Sequence, residues 1–250
     1  MDYPLITCIC VTRNRDYTLR RAIRCFQNQT YPNKELLIVY EDDDPVAEKV
    51  VFEQTDKRIK SLKITTQPKR TLGEIRNTAI EESMGILFCQ WDDDDWYHMR
   101  RIEVQFMHLA HMKKPVCILG HWLIFNELEN QAYCGYLRFW EGSILCEKGV
   151  VNEHRNYTPK SVDEDSDFVG QLIHDNLIYP LIFPSLYIYV LHDTNVWGEA
   201  HRNYLCSRSQ KLSASTSTLL RDILGEKINP EESANILDSV EILSEIRYIL

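Results

Sequence analysis

Short apolar or strand-like runs fall at 5–11, 35–39, 62–66 and 86–90, and the stretches between them, at 19–29, 46–54 and 72–83, repeat their apolar positions at helical spacing. Short apolar runs bounded by polar turns predict strands, and a 3.6-residue repeat predicts helices. Near-continuous apolar strands that alternate with helices imply parallel strands covered on both faces, hence an α/β layered domain. Ligands in such folds collect beyond the C-terminal ends of the strands, so the residues after each run carry the interest. Thr12, Arg13 and Asn14 follow the first run, Glu41, Asp42, Asp43 and Asp44 the second, and Asp92, Asp93, Asp94 and Asp95, set between Trp91 and Trp96, the fourth. Three polar clusters thus converge where a site belongs.

The second half is less regular. Residues 116–126 and 133–139 read as strands, 167–174 as part of a helix, and 179–191 as strand-rich with two prolines. From about residue 208 the chain turns to Ser and Thr and then to an amphipathic pattern through Leu250, which predicts a helical tail. The expected division is one domain over 1–207, with halves 1–105 and 106–207, followed by a tail over 208–250.

Composition narrows the function classes. The chain has 250 residues, 44% hydrophobic and 26% charged, which is ordinary globular composition. Lys and Arg total 28 against 37 Asp and Glu, a net charge of −9, which speaks against nucleic acid as a partner because phosphate-backbone affinity rests on Lys and Arg. The first apolar run is too short for a secretory h-region or a membrane span. The eight cysteines form no Cys-x-x-Cys pair and mostly sit in apolar, strand-like surroundings, which argues for buried thiols in a reducing cytoplasm rather than a zinc site or disulfides.

Four successive aspartates cannot all ionise in a dry interior, because like charges a few ångströms apart raise one another's pKa. The run is therefore either a solvated turn or a site neutralised by a cation. The flanking Trp91, Trp96 and Tyr97 are rarely spent on a freely solvated turn. Hard oxygen ligands with few neighbours suit Mg²⁺ or Mn²⁺ shared with substrate phosphates. The Gly and terminal Glu of an EF-hand loop are missing.

Several segments together resemble one family. Residues 4–14 (PLITCICVTRN) look like the opening strand of the family 2 glycosyltransferases with the GT-A fold, and residues 28–36 (NQTYPNKEL) resemble the segment leading into their second strand. Arg76 and Asn77 resemble the Arg-Asn pair of the helix before the family's metal motif, and residues 91–97 (WDDDDWY) resemble that Asp-x-Asp-Asp-Trp-Tyr motif itself. The resemblance is strong over about residues 4–105 and looser over 140–200. It implies a GT-A-type, Rossmann-like mixed sheet flanked by helices. It also implies inverting transfer of a sugar from a nucleotide-sugar, with UDP favoured by family frequency, to a saccharide or glycoconjugate acceptor. Residues 1–105 would then bind the donor and 106–207 the acceptor.

Carried over residue by residue, the resemblance makes Val11, Thr12 and Arg13 shape the nucleotide pocket, with Asp93 beside them. Glu41 stands where the family has an Asp that contacts the base, although the Asp-Asp-Gly-Ser usual there reads Glu41-Asp42-Asp43-Asp44 here. Asp92 faces the ribose and metal region, and Asp94 binds the cation, Mn²⁺ or Mg²⁺. Arg76 either holds the donor or forms a structural ion pair. The segment 162–168, about 70 residues past the metal motif, resembles the family's Glu-Asp signature and makes Asp165 the general base, with Glu164 as second choice. His192 is either a late metal ligand or a hydrogen-bonded structural residue, and His201 is a weaker candidate. Trp140, Trp197 and a turn at Gly142-Ser143 are candidates for an acceptor pocket, while Tyr187 and Tyr189 read simply as alternating strand positions. The tail leaves room for peripheral association with the inner membrane face or for a homodimer. Two rivals remain: a nucleotidyltransferase, for which a Gly-rich basic loop after the first strand is missing, and a non-catalytic nucleotide-sugar-binding module.

Overall fold

A computed structural model describes residues 2–195 and 198–247. In chain order it contains β1 (Ile6–Val11), α1 (Asp16–Gln27), β2 (Lys34–Glu41), α2 (Pro45–Phe52), β3 (Ile59–Ile64), α3 (Leu72–Glu82), β4 (Leu87–Gln90) and β5 (Trp96–Tyr97). There follow α4 (Arg101–Met112), β6 (Val116–Leu119), β7 (Leu123–Asn126), β8 (Gln131–Cys134), β9 (Trp140–Glu147) and α5 (Glu164–His174). The remainder is β10 (Ile178–Leu181), β11 (Tyr187–Leu191), α6 (Glu199–Arg208), β12 (Gln210–Lys211), α7 (Ala214–Leu224), α8 (Pro230–Leu237) and α9 (Val240–Glu245).

The main sheet has seven strands in the order β10-β6-β9-β4-β1-β2-β3. Strands β1, β2, β3 and β4 pair in parallel, as the apolar runs of β1, β2 and β4 predict, whereas β3 alternates with Lys60, Ser61 and Lys63 and starts before the expected run at 62–66, and β9 runs antiparallel to both β4 and β6. A second, five-stranded sheet follows the order β12-β8-β7-β11-β5. The result is a mixed α/β fold with helices flanking the main sheet.

Local chemistry explains where the flanking helices begin. Asp44 caps α2 by accepting from the Val46 and Ala47 amides at 3.1 and 2.9 Å, with Pro45 in the first turn. Thr71 and Glu74 form a reciprocal capping box on α3. Asp163 enters α5 in the left-handed region, at φ 65°, a conformation that costs a non-glycine residue energy and concentrates near functional sites.

The structure corrects the sequence reading in further places. The apolar stretch 116–126 is two strands in different sheets, because the chain crosses over at Gly120, whose amide bonds to Leu181 O at 3.0 Å. Of 133–139 only the first two residues are strand, within β8. Helix α4 and strand β9 form where neither was expected, and Gly142-Ser143 lies inside β9 rather than in a turn.

The segment from residue 208 is helical, as expected, and it also packs inward. Leu220, Ile223, Leu224 and Leu237 join the main apolar core, and β12 pairs with β8. All eight cysteines are free thiols, seven of them buried. Among the described residues no helix is long and apolar enough to cross a membrane.

Candidate active site

The C-terminal ends of β1, β2 and β4 and the first turn of α5 open onto one pocket of about 770 Å³, the size of an ordinary small-molecule site. Val11, Thr12, Arg13, Glu41, Arg76, Asp92, Asp93, Asp94, Glu164 and Asp165 all line it, although they come from segments far apart in the chain.

The four aspartates diverge. Asp92 accepts from Gln90 Nε2 at 3.0 Å and lies 3.5 Å from Arg76 Nη2. Asp93 accepts from the Thr12 hydroxyl at 2.5 Å. Asp94 accepts from Arg15 Nη1 at 2.8 Å and lies 3.0 Å from His192 Nε2. Asp95 points into the core, accepting from the Val190 amide at 2.9 Å and from the Tyr187 hydroxyl. Gly142 of β9 makes room for this loop: a Cβ there would lie 2.8 Å from the Tyr187 hydroxyl and 3.3 Å from Asp92 Oδ2.

Charge crowding shows in the ionisation of the run. Burial, and then the neighbouring Asp94, push Asp93 up to about 7. Burial and the same neighbour raise Asp95 well above the carboxylate range. At Asp94 burial also opposes ionisation, but the His192 hydrogen bond and the Arg15 charge outweigh it and hold the pKa below normal. The run thus keeps its clearest negative charge at Asp94.

On the opposite wall, Arg76 forms a buried ion pair with Glu164, so Glu164 is engaged. Asp165 borders the pocket, bonded to the Ser166 amide at 2.8 Å, and has no ion pair among the described residues. At the ends of β1 and β2, Arg13 pairs with Glu41 and with Asp43, the latter at 3.0 Å. Asp44 faces away, capping α2 and accepting from the Asn14 amide at 2.6 Å.

Of the expected cation ligands, Asp94 and His192 come together and Asp92 turns toward Gln90 and Arg76. Among the described residues no group of three or more His, Cys, Asp or Glu side chains is placed so that it could hold a metal ion by itself. A carboxylate and an imidazole nonetheless fit Mg²⁺ or Mn²⁺ that takes its remaining ligands from a diphosphate and water. Arg15 bridges that pair, 2.8 Å from Asp94 Oδ2 and 3.3 Å from His192 Nε2, and its Nε also lies 3.8 Å from Asp93 Oδ1.

Sequence reasoning missed Arg15, Lys69, Arg70, Arg138, Glu141 and Tyr189, all of which line the pocket. Arg15 stands two residues past Arg13, and that spacing was the available signal. Tyr187 and Tyr189 do more than alternate along a strand: one anchors Asp95 and the other borders the pocket. Trp140 borders the pocket while stacking on Trp122 at 4.5 Å, and Ser143 is wholly buried. His201 borders the pocket from α6. Trp197 lies outside the described residues.

A mixed sheet flanked by helices is the GT-A arrangement, and solved structures share the fold. S. aureus TarS 1-349 superposes with a TM-score of 0.60 at 13% identity over 96% of this chain and 77% of that one. The mannosyltransferase PcManGT from Pyrobaculum calidifontis, in complex with GDP-Man and Mn2+, gives 0.59 at 12% identity over 92% and 68%. A longer TarS chain is spanned over 42% of its length. The glycosyl transferase family 2 model matches residues 7–139. A curated relative, the UDP-Glc:alpha-D-GlcNAc-diphosphoundecaprenol beta-1,3-glucosyltransferase WfgD of Escherichia coli, is 31% identical over 87% of this chain and 81% of its own length. The chain belongs to glycosyl transferase family 2, and it is an enzyme acting on a nucleotide sugar.

Proposed function

We propose that this enzyme transfers a sugar, with inversion, from a UDP-sugar to a hydroxyl of a saccharide carried on a lipid diphosphate, with Asp165 as general base. The observation that carries the reading is the placement of Asp94 and Asp165 on the same pocket at the strand ends. The likeness to WfgD supports the acceptor class, and the TarS complexes with UDP and UDP-GlcNAc support the nucleotide.

In this reading residues 1–105 bind the donor. Thr12, Arg13 and Glu41 surround the base, and Asp92, Asp93 and Arg76 border the ribose and sugar. Asp94 and His192 would hold Mn²⁺ or Mg²⁺, which when bound offsets the charge on the leaving diphosphate. Residues 106–207 present the acceptor. Asp165 takes the proton of the acceptor hydroxyl, whose oxygen bonds to the anomeric carbon as the bond to UDP breaks on the opposite face. The proposed location is cytoplasmic and peripheral to the inner membrane face, where donor and lipid-linked acceptor meet.

The test is a calorimetric titration of UDP, GDP and TDP with and without Mn²⁺, followed by transfer assays on Asp165→Asn. Mn²⁺ should strengthen UDP binding. Asp165→Asn should lower transfer by about a hundredfold or more, the usual worth of a positioned base, with UDP affinity nearly unchanged. No metal-dependent nucleotide binding would defeat the cation assignment, and equal losses of binding and transfer would remove Asp165 from the base role. A product that retains the donor's anomeric configuration would overturn inversion.

A further inference from the structure

A second cavity, of about 520 Å³, adjoins the donor pocket. Its walls are Leu137 and Phe139 on one side, Val169, Gly170 and Ile173 of α5 on another, and Pro180 of β10. The three α5 residues, with Ser166, fall at the i, i+3, i+4, i+7 spacing of one helix face. Leu137 and Ile173 are each 47% exposed, so this face leaves large apolar side chains in contact with water.

Gly170 forms part of the wall in the middle of α5. Its φ is not positive, and a Cβ built there meets nothing within 4 Å. Neither backbone conformation nor packing calls for glycine at this place, and glycine is a poorer helix former than alanine. What its absent side chain provides is space in the groove.

The groove joins the donor pocket at three shared residues, Arg138, Glu141 and Ser166. Arg138 pairs with Glu141, and Ser166 donates to the same carboxylate at 3.0 Å. Moving outward from the reaction centre, the surface therefore presents the carboxylate Asp165, then Arg138 paired with Glu141, then an apolar trough. A lipid-linked sugar has the same order of parts: hydroxyl, diphosphate, hydrocarbon chain. We infer that the groove between α5 and the segment 137–139 binds the apolar prenyl chain of the acceptor, with Arg138 at its diphosphate. This inference rests on the acceptor class proposed above.

The experiment compares two acceptors with UDP-glucose as donor in one detergent: α-D-GlcNAc-diphosphoundecaprenol and the same head group as a methyl ester. Gly170→Leu fills the trough, and Ile173→Asp places a charge on its exposed rim; melting curves and UDP affinity verify that both variants are folded. The wild type should show the lower KM for the undecaprenyl acceptor. Each variant should raise that KM about tenfold, equivalent to losing roughly two buried methylene groups, while the methyl acceptor shifts less than about twofold. If the wild type uses both acceptors and neither variant changes their ratio, the groove assignment is overturned and the acceptor class stands. If the wild type uses neither acceptor, the acceptor class falls and the groove with it.

Discussion

Replacing Asp93 by Asn should stabilise the nucleotide-free protein at neutral and alkaline pH. The carboxyl is buried, and burial together with the neighbouring Asp94 raises it from 3.8 to about 7. A carboxyl with its folded pKa above its unfolded value binds more protons folded than unfolded. Its stabilisation is thus fully present below about 3.8 and is lost as pH climbs through about 7. At 1.36 kcal/mol per pKa unit, the loss approaches about 4 kcal/mol above pH 8. Asn removes that penalty and can still accept from the Thr12 hydroxyl, but it forfeits the attraction of Arg15, 3.8 Å away. A net gain of about 2 kcal/mol at pH 8 remains, or about 5 °C in Tm for a chain of this size. Melting temperatures of wild type and Asp93→Asn should coincide near pH 4 and separate steadily toward pH 8. UDP with Mn²⁺ should narrow the gap, because a cation at Asp94 offsets the charge that opposes ionisation of Asp93. Parallel curves across the whole range, or a less stable variant at pH 8, would refute the reasoning.

Two further outcomes follow from the ion pairs. Arg15→Ala removes a cation from between Asp94 and His192 and should strengthen binding of Mn²⁺ alone about fivefold, the worth of a partly exposed pair; unchanged calorimetric affinity without nucleotide would show that Arg15 does not compete for the site. Glu164→Gln leaves the buried Arg76 without its closest partner and should cost about 3 kcal/mol in urea unfolding, whereas a cost below about 1 kcal/mol would mean that Asp92 alone can satisfy the guanidinium.

The first hundred residues of the fold were legible because β1, β2 and β4 are buried on both faces and so appear as apolar runs. Helix α4 was hidden by Arg101 and Gln105, polar residues on its buried face. The Arg101 guanidinium lies over the rings of Trp91, Tyr97 and Tyr187 at 5.2, 4.6 and 5.2 Å and donates to Gln90 O at 3.1 Å, so a charge takes the place of a hydrophobe. Strand β9 was hidden in the same way: its Glu, Gly and Ser suggest a turn, yet the Ser143 hydroxyl accepts from the Leu119 amide at 2.8 Å and donates to Trp140 O at 2.6 Å. In both cases a polar side chain is satisfied by partners remote in sequence, which no local pattern can display. Arg15 belongs with them, since Asp94 and His192 stand 79 and 177 residues away.

The acidic run also fastens the site together. Asp95 binds the loop to β11 through Val190 and Tyr187, and Asp93 binds it to the end of β1 through Thr12. Asp92 meets Arg76 of α3, which in turn holds Glu164, next to Asp165 on α5. Each aspartate therefore ties a different element to the loop, at the cost of crowding four carboxyls. Partners are distributed unevenly: Asp93 and Asp95 are driven toward their neutral forms, and Asp94 stays ionised between Arg15 and His192. Arg15, which contacts both Asp94 and His192, is then the group that the cation proposed at Asp94 would have to displace. Neutralising Asp94 would then relax the electrostatic burden on Asp92, Asp93 and Asp95 together.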